Sequence, residues 1–299
     1  ISASSSGCSQ SVSNTSAQMS WPDETWTTAA PEISGLCPDK IQEALDYAFA
    51  AGNDTGAVLI IKNGAIVAER YADDRDSSSL VTSWSVAKSI TSALVGTALE
   101  SGVIKGLEEP LGNYFASWID TPKSDITVEH LLTVKTGLEL ISDEDGDGIP
   151  DGGDLYAAAD QLELSSARSL IGAPGEQVYV YSNSDVMLAG ELVNQATGQS
   201  PAEYWTNGIA NRIGINSEWW TDEANNVLSY CCLDATPRDF ARFGLLYARQ
   251  GLWLDEQVIS ADWINHSTQP ARFGNYGYYW WPAVNGGYAA LGVMGQLIG

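Results

Sequence analysis

The chain has 299 residues, of which 44% are hydrophobic and 17% are charged, so it can bury a large core and is not an intrinsically disordered chain. Its 14 basic and 38 acidic residues give a formal net charge of −24. Because this charge repels phosphate backbones and anionic lipid, nucleic acids and membrane surfaces are excluded as expected partners.

The N-terminal segment, residues 1–36, is rich in serine and predicts an irregular arm. The chain begins with Ile1 instead of Met, and its first residues are rich in serine and poor in hydrophobic residues, so we expect an exported protein, periplasmic or secreted, whose signal peptide has been cleaved. A boundary chosen for expression is the alternative. No run is long and apolar enough to span a bilayer.

Four cysteines are compatible with one or two disulfides of an oxidising compartment. Bonding between chain neighbours would strain the backbone, so Cys231 or Cys232 is expected to bridge to Cys8 or Cys37 and to tie the arm to the body. Four buried free thiols are the alternative.

Hydrophobic periodicity predicts the elements that follow. Apolar residues at helical intervals predict a helix over 39–51, and two β-rich runs around Asn63-Gly64 predict a hairpin over 57–71. Further helices are expected at 85–101, 127–134, 184–197 and 236–250, and further strands at 276–281 and 288–293. Strands at both ends around a helical middle predict an α+β fold with one antiparallel sheet built from distant segments.

The same pattern predicts three parts of the chain. They are the arm at 1–36, a sheet subdomain made of 37–80 and 215–299, and a helical subdomain at 81–214. The oligomeric state cannot be read from these patterns.

The pair Ser85 and Lys88 opens the first helix of the helical subdomain. Residues three apart lie about one turn apart on one helix face, so the lysine amine can reach the serine hydroxyl. A serine hydroxyl becomes a nucleophile when a base removes its proton, and burial can lower the pKa of a lysine enough for it to serve as that base. The same spacing also arises by chance on solvated helix faces.

Histidine is not expected to be that base. The chain has two histidines, His130 in an amphipathic helix and His266 in a polar stretch, and we interpret them as a structural and a surface residue. The sequence also contains no Gly-x-Ser-x-Gly motif, which disfavours a Ser-His-Asp hydrolase of the α/β type.

An acidic segment at 143–154 carries aspartates at its positions 1, 3, 5, 9 and 12 and a glycine at position 6. Oxygen ligands at this spacing, with a main-chain carbonyl at position 7, suit Ca²⁺ and resemble the calcium loops of thrombospondin type 3 repeats and EF-hands. The segment predicts a structural calcium site, and an acidic surface loop is the alternative. The expected ligands are Asp143, Asp145, Asp147, Ile149 through its carbonyl, Asp151 and Asp154.

The motif Tyr181-Ser182-Asn183 stands just before the helix expected at 184–197. Together with Ser85-Val86-Ala87-Lys88, Ile126–Thr133 and Ala235–Gly244, in this order, it resembles the serine β-lactamase and penicillin-binding-protein superfamily. Within it, the class C-like branch with family VIII esterases and 6-aminohexanoate-dimer hydrolases is the most similar. The resemblance runs from about residue 40 to the end and implies a β-lactamase/transpeptidase-like fold.

The resemblance also implies roles for single residues. Ser85 would be the acylated nucleophile, Lys88 would help to deprotonate it, and Tyr181 would carry the proton to the leaving group. Asn183 would orient Lys88 or the substrate, and the backbone N–H of Val293, with that of Ser85, would form the oxyanion hole. No cofactor is expected for this catalysis.

The chain departs from the family at its third motif, which is usually Lys/His-Thr-Gly on a strand edge. Lys135-Thr136-Gly137 precedes Tyr181 and is therefore out of order, whereas Ala290-Leu291-Gly292 has the right place and lacks the lysine. Without that cation, a neutral carboxylic ester or small linear amide is the expected substrate. A β-lactamase or D-alanyl-D-alanine carboxypeptidase is one alternative, and a catalytically silent binding protein is another.

Aromatic residues could line a pocket for the acyl group or belong to the core, and core is the expectation for most of them. They are Trp84, Tyr156 and the run 278–281.

Overall fold

Ten helices and ten short strands make up the part of the chain that this computed structural model describes, which is residues 19–141, 153–176, 180–271, 276–283 and 286–299. The helices are α1 Pro38–Ala48, α2 Val86–Glu100, α3 Val128–Leu132, α4 Gly153–Ala157, α5 Gln161–Ala167, α6 Asn183–Thr197, α7 Pro201–Trp205, α8 Asn211–Ile213, α9 Pro237–Ala248 and α10 Ala261–Thr268. Single 3₁₀ or π turns cover Leu111–Asn113, Ala116–Trp118, Pro122–Asp125, Thr206–Ala210 and Val293–Gly295.

The strands are β1 Ala57–Lys62, β2 Ala65–Tyr71, β3 Val81–Thr82, β4 Ser217–Trp219, β5 Leu233–Ala235, β6 Leu252–Trp253, β7 Glu256–Gln257, β8 Trp281–Pro282, β9 Tyr288–Leu291 and β10 Leu297–Ile298. Every pair of these strands is antiparallel. The orders are β1-β2, β3-β5-β4, β6-β7 and β8-β9-β10. Antiparallel strands from both ends of the chain around a helical middle confirm the α+β class.

The hairpin of β1 and β2 forms as predicted. Asn63 and Gly64 both have positive φ, 53° and 84°, which is the geometry of the two-residue turn that matches strand twist. Glycine is required at position 64, because a Cβ there would lie 1.9 Å from the carbonyl oxygen of Ser20. The carboxylate of Glu69 on β2 accepts hydrogen bonds from Arg238 on α9 and so joins the hairpin to that helix.

Helix α2 runs through the core, and nearly all of its residues are buried. It packs against α6, whose first three turns are buried as well. At Gly96 a Cβ would lie 2.3 Å from the indole nitrogen of Trp263, so only glycine lets α10 approach this closely. A helix buried on every side can hold polar groups away from water, which matters for the residues at its start.

Two sequence expectations differ from the structure. Most of the run predicted as a strand, residues 276–280, is a buried turn, since Tyr279 has a φ of 64° and the N–H of Gly277 donates to the carbonyl of Trp280, and only its last residue, Trp281, lies in a strand, β8. The terminal strands of the described residues form two separate sheets, β1-β2 and β8-β9-β10, because the two-residue strands β8 and β10 pair only with β9 between them.

The expected disulfide pairing of Cys231 and Cys232 is wrong. Cys231 and Cys232 are bonded to each other, with their Cα atoms 3.7 Å apart. The backbone accommodates this bond because Cys232 takes a left-handed conformation with a φ of 70°. Cys37 is also disulfide-bonded, which excludes a free thiol there, and the expectation for Cys8 lies outside the described residues.

Candidate active site

Ser85 stands between strand β3 and helix α2, at the end of a tightly held turn. Two hydrogen bonds fix this turn to β5: the N–H of Ser83 donates to the carbonyl of Leu233 at 2.8 Å, and the N–H of Leu233 donates to Ser83 Oγ at 2.9 Å. Trp84 has a φ of 44°, a left-handed conformation that an L-residue adopts only where its surroundings enforce it. The turn therefore holds Ser85 at one place relative to α2.

The hydroxyl of Ser85 is not used to cap the helix it opens. Ser85 is the N-cap residue of α2, but its side chain accepts no capping hydrogen bond within the described structure. It is instead the partner of Lys88, whose Nζ lies 2.8 Å from Ser85 Oγ. The predicted reach of one helical turn is thus realised.

The amine of Lys88 is shut away from solvent, and only 1% of the residue is exposed. Its Nζ donates a second hydrogen bond, 2.9 Å long, to the carbonyl oxygen of Tyr230. The rings of Tyr181 and Tyr230 lie 4.8 and 5.5 Å from the same nitrogen. A lysine must be neutral to accept a proton, and removal from water favours the neutral form.

Tyr181 reaches this cluster from the segment before α6. Ser182 caps that helix by accepting a hydrogen bond from the N–H of Asp185 at 3.1 Å, so Tyr181 lies just ahead of the helix start. Its ring packs against Tyr276 and Trp281, with centroids 6.2 and 6.5 Å away. The structure thus brings Tyr181 together with Ser85 and Lys88, which stand at the start of α2.

Asn183, the first residue of α6, is half-buried. Its predicted role in orienting Lys88 or the substrate stays a prediction.

The segment Ala290-Leu291-Gly292 lies at the end of β9, against the turn that carries Ser85. At Gly292 a Cβ would stand 2.8 Å from the carbonyl oxygen of Ser83 and 3.2 Å from Trp84 Cβ, so the close approach requires glycine. Val293 follows it and is 51% exposed. This strand edge borders the Ser85 turn, and the oxyanion role of the Val293 N–H stays a prediction.

Lys135-Thr136-Gly137 is built into the core instead. The hydroxyl of Thr136 donates to both carboxylate oxygens of Asp185, at 3.2 and 3.1 Å, and Arg168 forms a buried ion pair with the same carboxylate at 2.7 Å. Burial lowers the pKa of Lys135. The carboxylate of Asp185 and the side chains of Thr136 and Arg168 line a cavity of about 240 Å³ beside α6. The Thr136 hydroxyl therefore belongs to an internal ion pair. This agrees with the order of the motifs in the sequence, which argued against Lys135-Thr136-Gly137 as the third motif of the family.

Most of the aromatic residues considered for an acyl pocket lie in the core, as expected. Tyr278, Tyr279 and Trp280 are at most 2% exposed and belong to the core, where burial raises the pKa of Tyr279 well above its usual range. Tyr156 is exposed. Trp281 is half-buried, and its ring stacks on that of Tyr181.

Sequence reasoning missed Tyr230. Its contribution to the site is a main-chain carbonyl, which every residue has, so its side-chain identity carries no signal for that contact. The bond between the two cysteines that follow it was disfavoured from the sequence, because the left-handed conformation of Cys232 that accommodates the bond is not visible there.

Both histidines have the places expected of them. His130 Nδ1 accepts the N–H of Thr127 at 3.1 Å in a capping box of α3, and burial lowers its pKa. His266 is exposed on α10, where its Nε2 lies 3.1 Å from the hydroxyl of Tyr278.

Most of the predicted calcium ligands, from Asp143 to Asp151, lie outside the described residues. Asp154 is described and is partly exposed in the first turn of α4. In the ranges that the structure covers, no three acidic, histidine or cysteine side chains are arranged to hold a metal ion.

The chain is similar to known proteins in sequence pattern and in fold. A family model described as Beta-lactamase matches residues 42–297. A Bacillus anthracis protein, named as a candidate 6-aminohexanoate-dimer hydrolase, has a similar structure with a TM-score of 0.74 and 22% identity, over 94% of this chain and 78% of its own.

Two further solved structures share the fold. A penicillin-binding-protein homologue from Caulobacter crescentus has a TM-score of 0.60 and 16% identity, over 86% of this chain and 80% of its own. A D-stereospecific amidohydrolase from Streptomyces sp. has a TM-score of 0.56 and 17% identity, over 74% and 76%. At these identities the likeness concerns the fold.

Proposed function

Because this chain belongs to the Beta-lactamase family of serine hydrolases, we propose that it forms an acyl-enzyme on Ser85 and hydrolyses a neutral carboxylic ester or a small linear amide. The observation that carries the proposal is the 2.8 Å contact between Lys88 Nζ and Ser85 Oγ, made by a lysine that is 1% exposed. A solvated pair on a helix surface, which is the chance alternative for this spacing, would not be buried in this way.

In the proposed acylation step, Ser85 Oγ attacks the carbonyl carbon of the substrate as its proton is removed with the help of Lys88. The carbonyl electron pair moves to oxygen, where the N–H groups of Ser85 and Val293 would stabilise it. The pair returns as the bond to the leaving alcohol or amine breaks. Tyr181 passes the serine proton to that leaving group.

Deacylation repeats these steps with water. Water attacks the acyl carbon, its proton moves through the same Lys88 and Tyr181 groups, and the bond to Ser85 Oγ breaks. The carboxylic acid leaves, and the serine hydroxyl is restored. All the groups required belong to the chain, so the proposal invokes no cofactor.

The proposed substrate class rests on the edge formed by β9. In the family, a cation in the third motif helps to hold a substrate carboxylate, and here the corresponding residues are Ala290-Leu291-Gly292. Leu291 and Val293 are exposed along this edge, so it presents apolar surface to a ligand. A neutral ester or amide suits this edge better than an anionic β-lactam or a peptide carboxylate.

The test compares the wild type with Ser85→Ala on three substrates: short-chain p-nitrophenyl esters, 6-aminohexanoate dimer and a chromogenic cephalosporin. We expect turnover of an ester, its loss in Ser85→Ala, and a serine-probe adduct on Ser85 by mass spectrometry. 6-Aminohexanoate dimer carries an ionised carboxylate, so its preferred cleavage would support amide hydrolysis and contradict the neutral substrate class. Preferred cleavage of the cephalosporin would support the β-lactamase alternative. A wild type without turnover and without an adduct would support the silent binding protein.

We also propose a structural Ca²⁺ at the acidic segment 143–154. The support is its ligand spacing, together with the partly exposed carboxylate of Asp154 at the end of the segment. Calcium would order this segment and take no part in the chemistry. Chelation with EDTA should lower the Tm and added Ca²⁺ should restore it, while Mg²⁺ should not. An unchanged Tm would contradict the site.

Export from the cytoplasm is the last part of the proposal. It is supported by disulfide-bonded cysteines at 37, 231 and 232, since such bonds persist in oxidising compartments. In the described portion of the chain, no helix is both long and apolar enough to cross a membrane. Fractionation of the native host should recover the protein outside the cytoplasm.

A further inference from the structure

The disulfide between Cys231 and Cys232 lies in the short connection that touches both halves of the Ser85–Lys88 pair. Tyr230, just before the two cysteines, accepts a hydrogen bond from Lys88 Nζ at 2.9 Å. Leu233, just after them, exchanges two hydrogen bonds with Ser83 in the turn that presents Ser85. The disulfide therefore lies between these two sets of contacts along the chain.

The connection is anchored on each side of the disulfide. Upstream, the carbonyl of Ser229 accepts a hydrogen bond from Thr91 Oγ1 at 2.7 Å, and the hydroxyl of Tyr230 donates to Gln161 Oε1 at 2.8 Å. Downstream, the carbonyl of Cys232 accepts the N–H of Trp220 at 2.8 Å. The N–H of Cys231 also donates to the carbonyl of Leu228 at 3.1 Å, so hydrogen bonds orient the peptide plane on each side of the cysteines, and the disulfide acts on the torsions between these planes.

The ring that the disulfide closes restricts the torsions between these planes. A bond between neighbouring cysteines makes a small ring that includes their shared peptide bond, so it restricts ψ of Cys231 and φ of Cys232. These are two of the four rotatable torsions between the peptide plane that carries the Tyr230 carbonyl and the plane that carries the Leu233 N–H. Cys232 is held at a φ of 70°, which a non-glycine residue leaves readily when nothing restrains it.

We propose that the Cys231–Cys232 disulfide is a positioning device for catalysis, which holds the Tyr230 carbonyl on Lys88 while β5 holds the Ser85 turn. The inference rests on the proposed acylation of Ser85. Both cysteines are at most 3% exposed, so solvent does not reach the bond directly and the restraint is a constant part of the folded enzyme. Displacement of catalytic groups by about 1 Å can cost about 100-fold in rate.

The experiment compares two double variants that both lack the disulfide. Cys231→Ser/Cys232→Ser keeps a side chain at position 232 and should relax from the left-handed conformation. Cys231→Ser/Cys232→Gly removes the same bond, but glycine adopts a φ of 70° without steric cost. We expect kcat to fall about 100-fold in the first variant with little change in KM, and the second to recover about tenfold of that loss.

The pH profile separates positioning from a general loss of structure. The acidic limb of kcat/KM reports the protonation of the catalytic base, so it should move in the Ser/Ser variant and return toward the wild-type position in the Ser/Gly variant. Val258→Ala is the control, because Val258 is buried, its N–H donates to the carbonyl of Gly251, and it makes none of the site contacts described above. It should lower the Tm and leave the acidic limb unchanged.

Each remaining outcome decides the question. If the wild type shows neither turnover nor an adduct on Ser85, the proposed function fails whatever the disulfide does. If the wild type is active and the Ser/Ser variant keeps its kcat and pH profile, the positioning role is wrong and the proposed function stands. Equal losses of kcat in both double variants would show that the conformation of residue 232 does not carry the effect, and the failure of both to fold would make the disulfide a requirement for structure. Either result overturns the inference.

Discussion

Lys88 and Lys135 are both buried lysines beside a hydroxyl residue, yet the structure uses their surroundings differently. Lys88 Nζ lies 2.8 Å from the hydroxyl of Ser85, and this serine is half-exposed at the start of a helix. The hydroxyl next to Lys135 belongs to Thr136 and donates to Asp185, which Arg168 already neutralises. One hydroxyl is available to a substrate, and the other is part of an internal ion pair.

The difference teaches that a short motif acquires chemistry from its position. Lys135-Thr136-Gly137 matches the family's third motif by letter, but it belongs to the core beside α6. Ala290-Leu291-Gly292 matches it only by its glycine, but lies against the Ser85 turn. Substitutions in the Ser85–Lys88 pair should therefore lower the rate, whereas substitutions around Thr136 should lower the stability and leave the rate nearly unchanged.

The largest difference is expected between Ser85→Ala and Thr136→Val. Removing the proposed nucleophile should lower kcat/KM by about 10⁴-fold or more, because no other group can form the acyl-enzyme. Thr136→Val should keep kcat/KM within about threefold and lower the free energy of unfolding by about 1.5–3 kcal/mol, the usual value of a hydrogen bond to a charged group. Steady-state kinetics and urea unfolding measure both. A comparable loss of rate in Thr136→Val would erase the distinction.

The two lysines should divide in the same way. Lys88→Met removes the proposed base and should cost about 1000-fold in kcat/KM, within the usual range for general base catalysis. Lys135→Met has a similar size and loses a charge that is already disfavoured by burial, so its rate should stay near that of the wild type. Kinetics on one ester substrate suffice. Equal losses would mean that Lys135 also serves the reaction.

The ion pair beside Lys135 should matter for stability. Arg168→Met leaves the buried carboxylate of Asp185 without its partner and should lower the free energy of unfolding by about 3–5 kcal/mol. Arg212→Met, which breaks the exposed pair with Glu256, is the matched control and should cost much less. Adding Asp185→Asn to Arg168→Met should recover part of the loss. Thermal unfolding tests all three, and similar Tm values for the two single variants would refute the assignment.

The smallest expected effect is a pH dependence near Lys135, whose N–H bonds to the carbonyl of His130. Burial lowers the pKa of His130 in the folded state, so the folded protein binds fewer protons there than the unfolded chain. Stability is then fully present above the unfolded value, near pH 6.5, and falls as the pH drops below it. The Tm should decline less steeply from about pH 7 to pH 5 in His130→Gln than in the wild type. Parallel declines would exclude His130 as the cause.

Local patterns were enough to predict most elements and the central pair of the site. The hairpin over 57–71 and the helices that carry Ser85 and follow Tyr181 formed where periodicity and turn residues indicated. These features depend on contacts between residues close in the chain. Residues 276–280 were misassigned because their aromatic side chains have strand propensity, whereas in the structure they form a buried turn with Tyr279 in the left-handed region.

The sequence by itself determined the fold class, the family and the spacing that lets Lys88 reach Ser85, because helix geometry relates residues three apart without further information. Only the tertiary structure decided that Lys88 is buried under Tyr181, that the Tyr230 carbonyl accepts its hydrogen bond, and that Cys231 bonds to its neighbour. These contacts join segments about a hundred residues apart or depend on the backbone conformation of a single turn. These contacts are stabilised by close packing and by main-chain hydrogen bonds. Every residue has the same main-chain groups, and packing depends on many residues at once, so the identity of a single residue does not reveal these contacts.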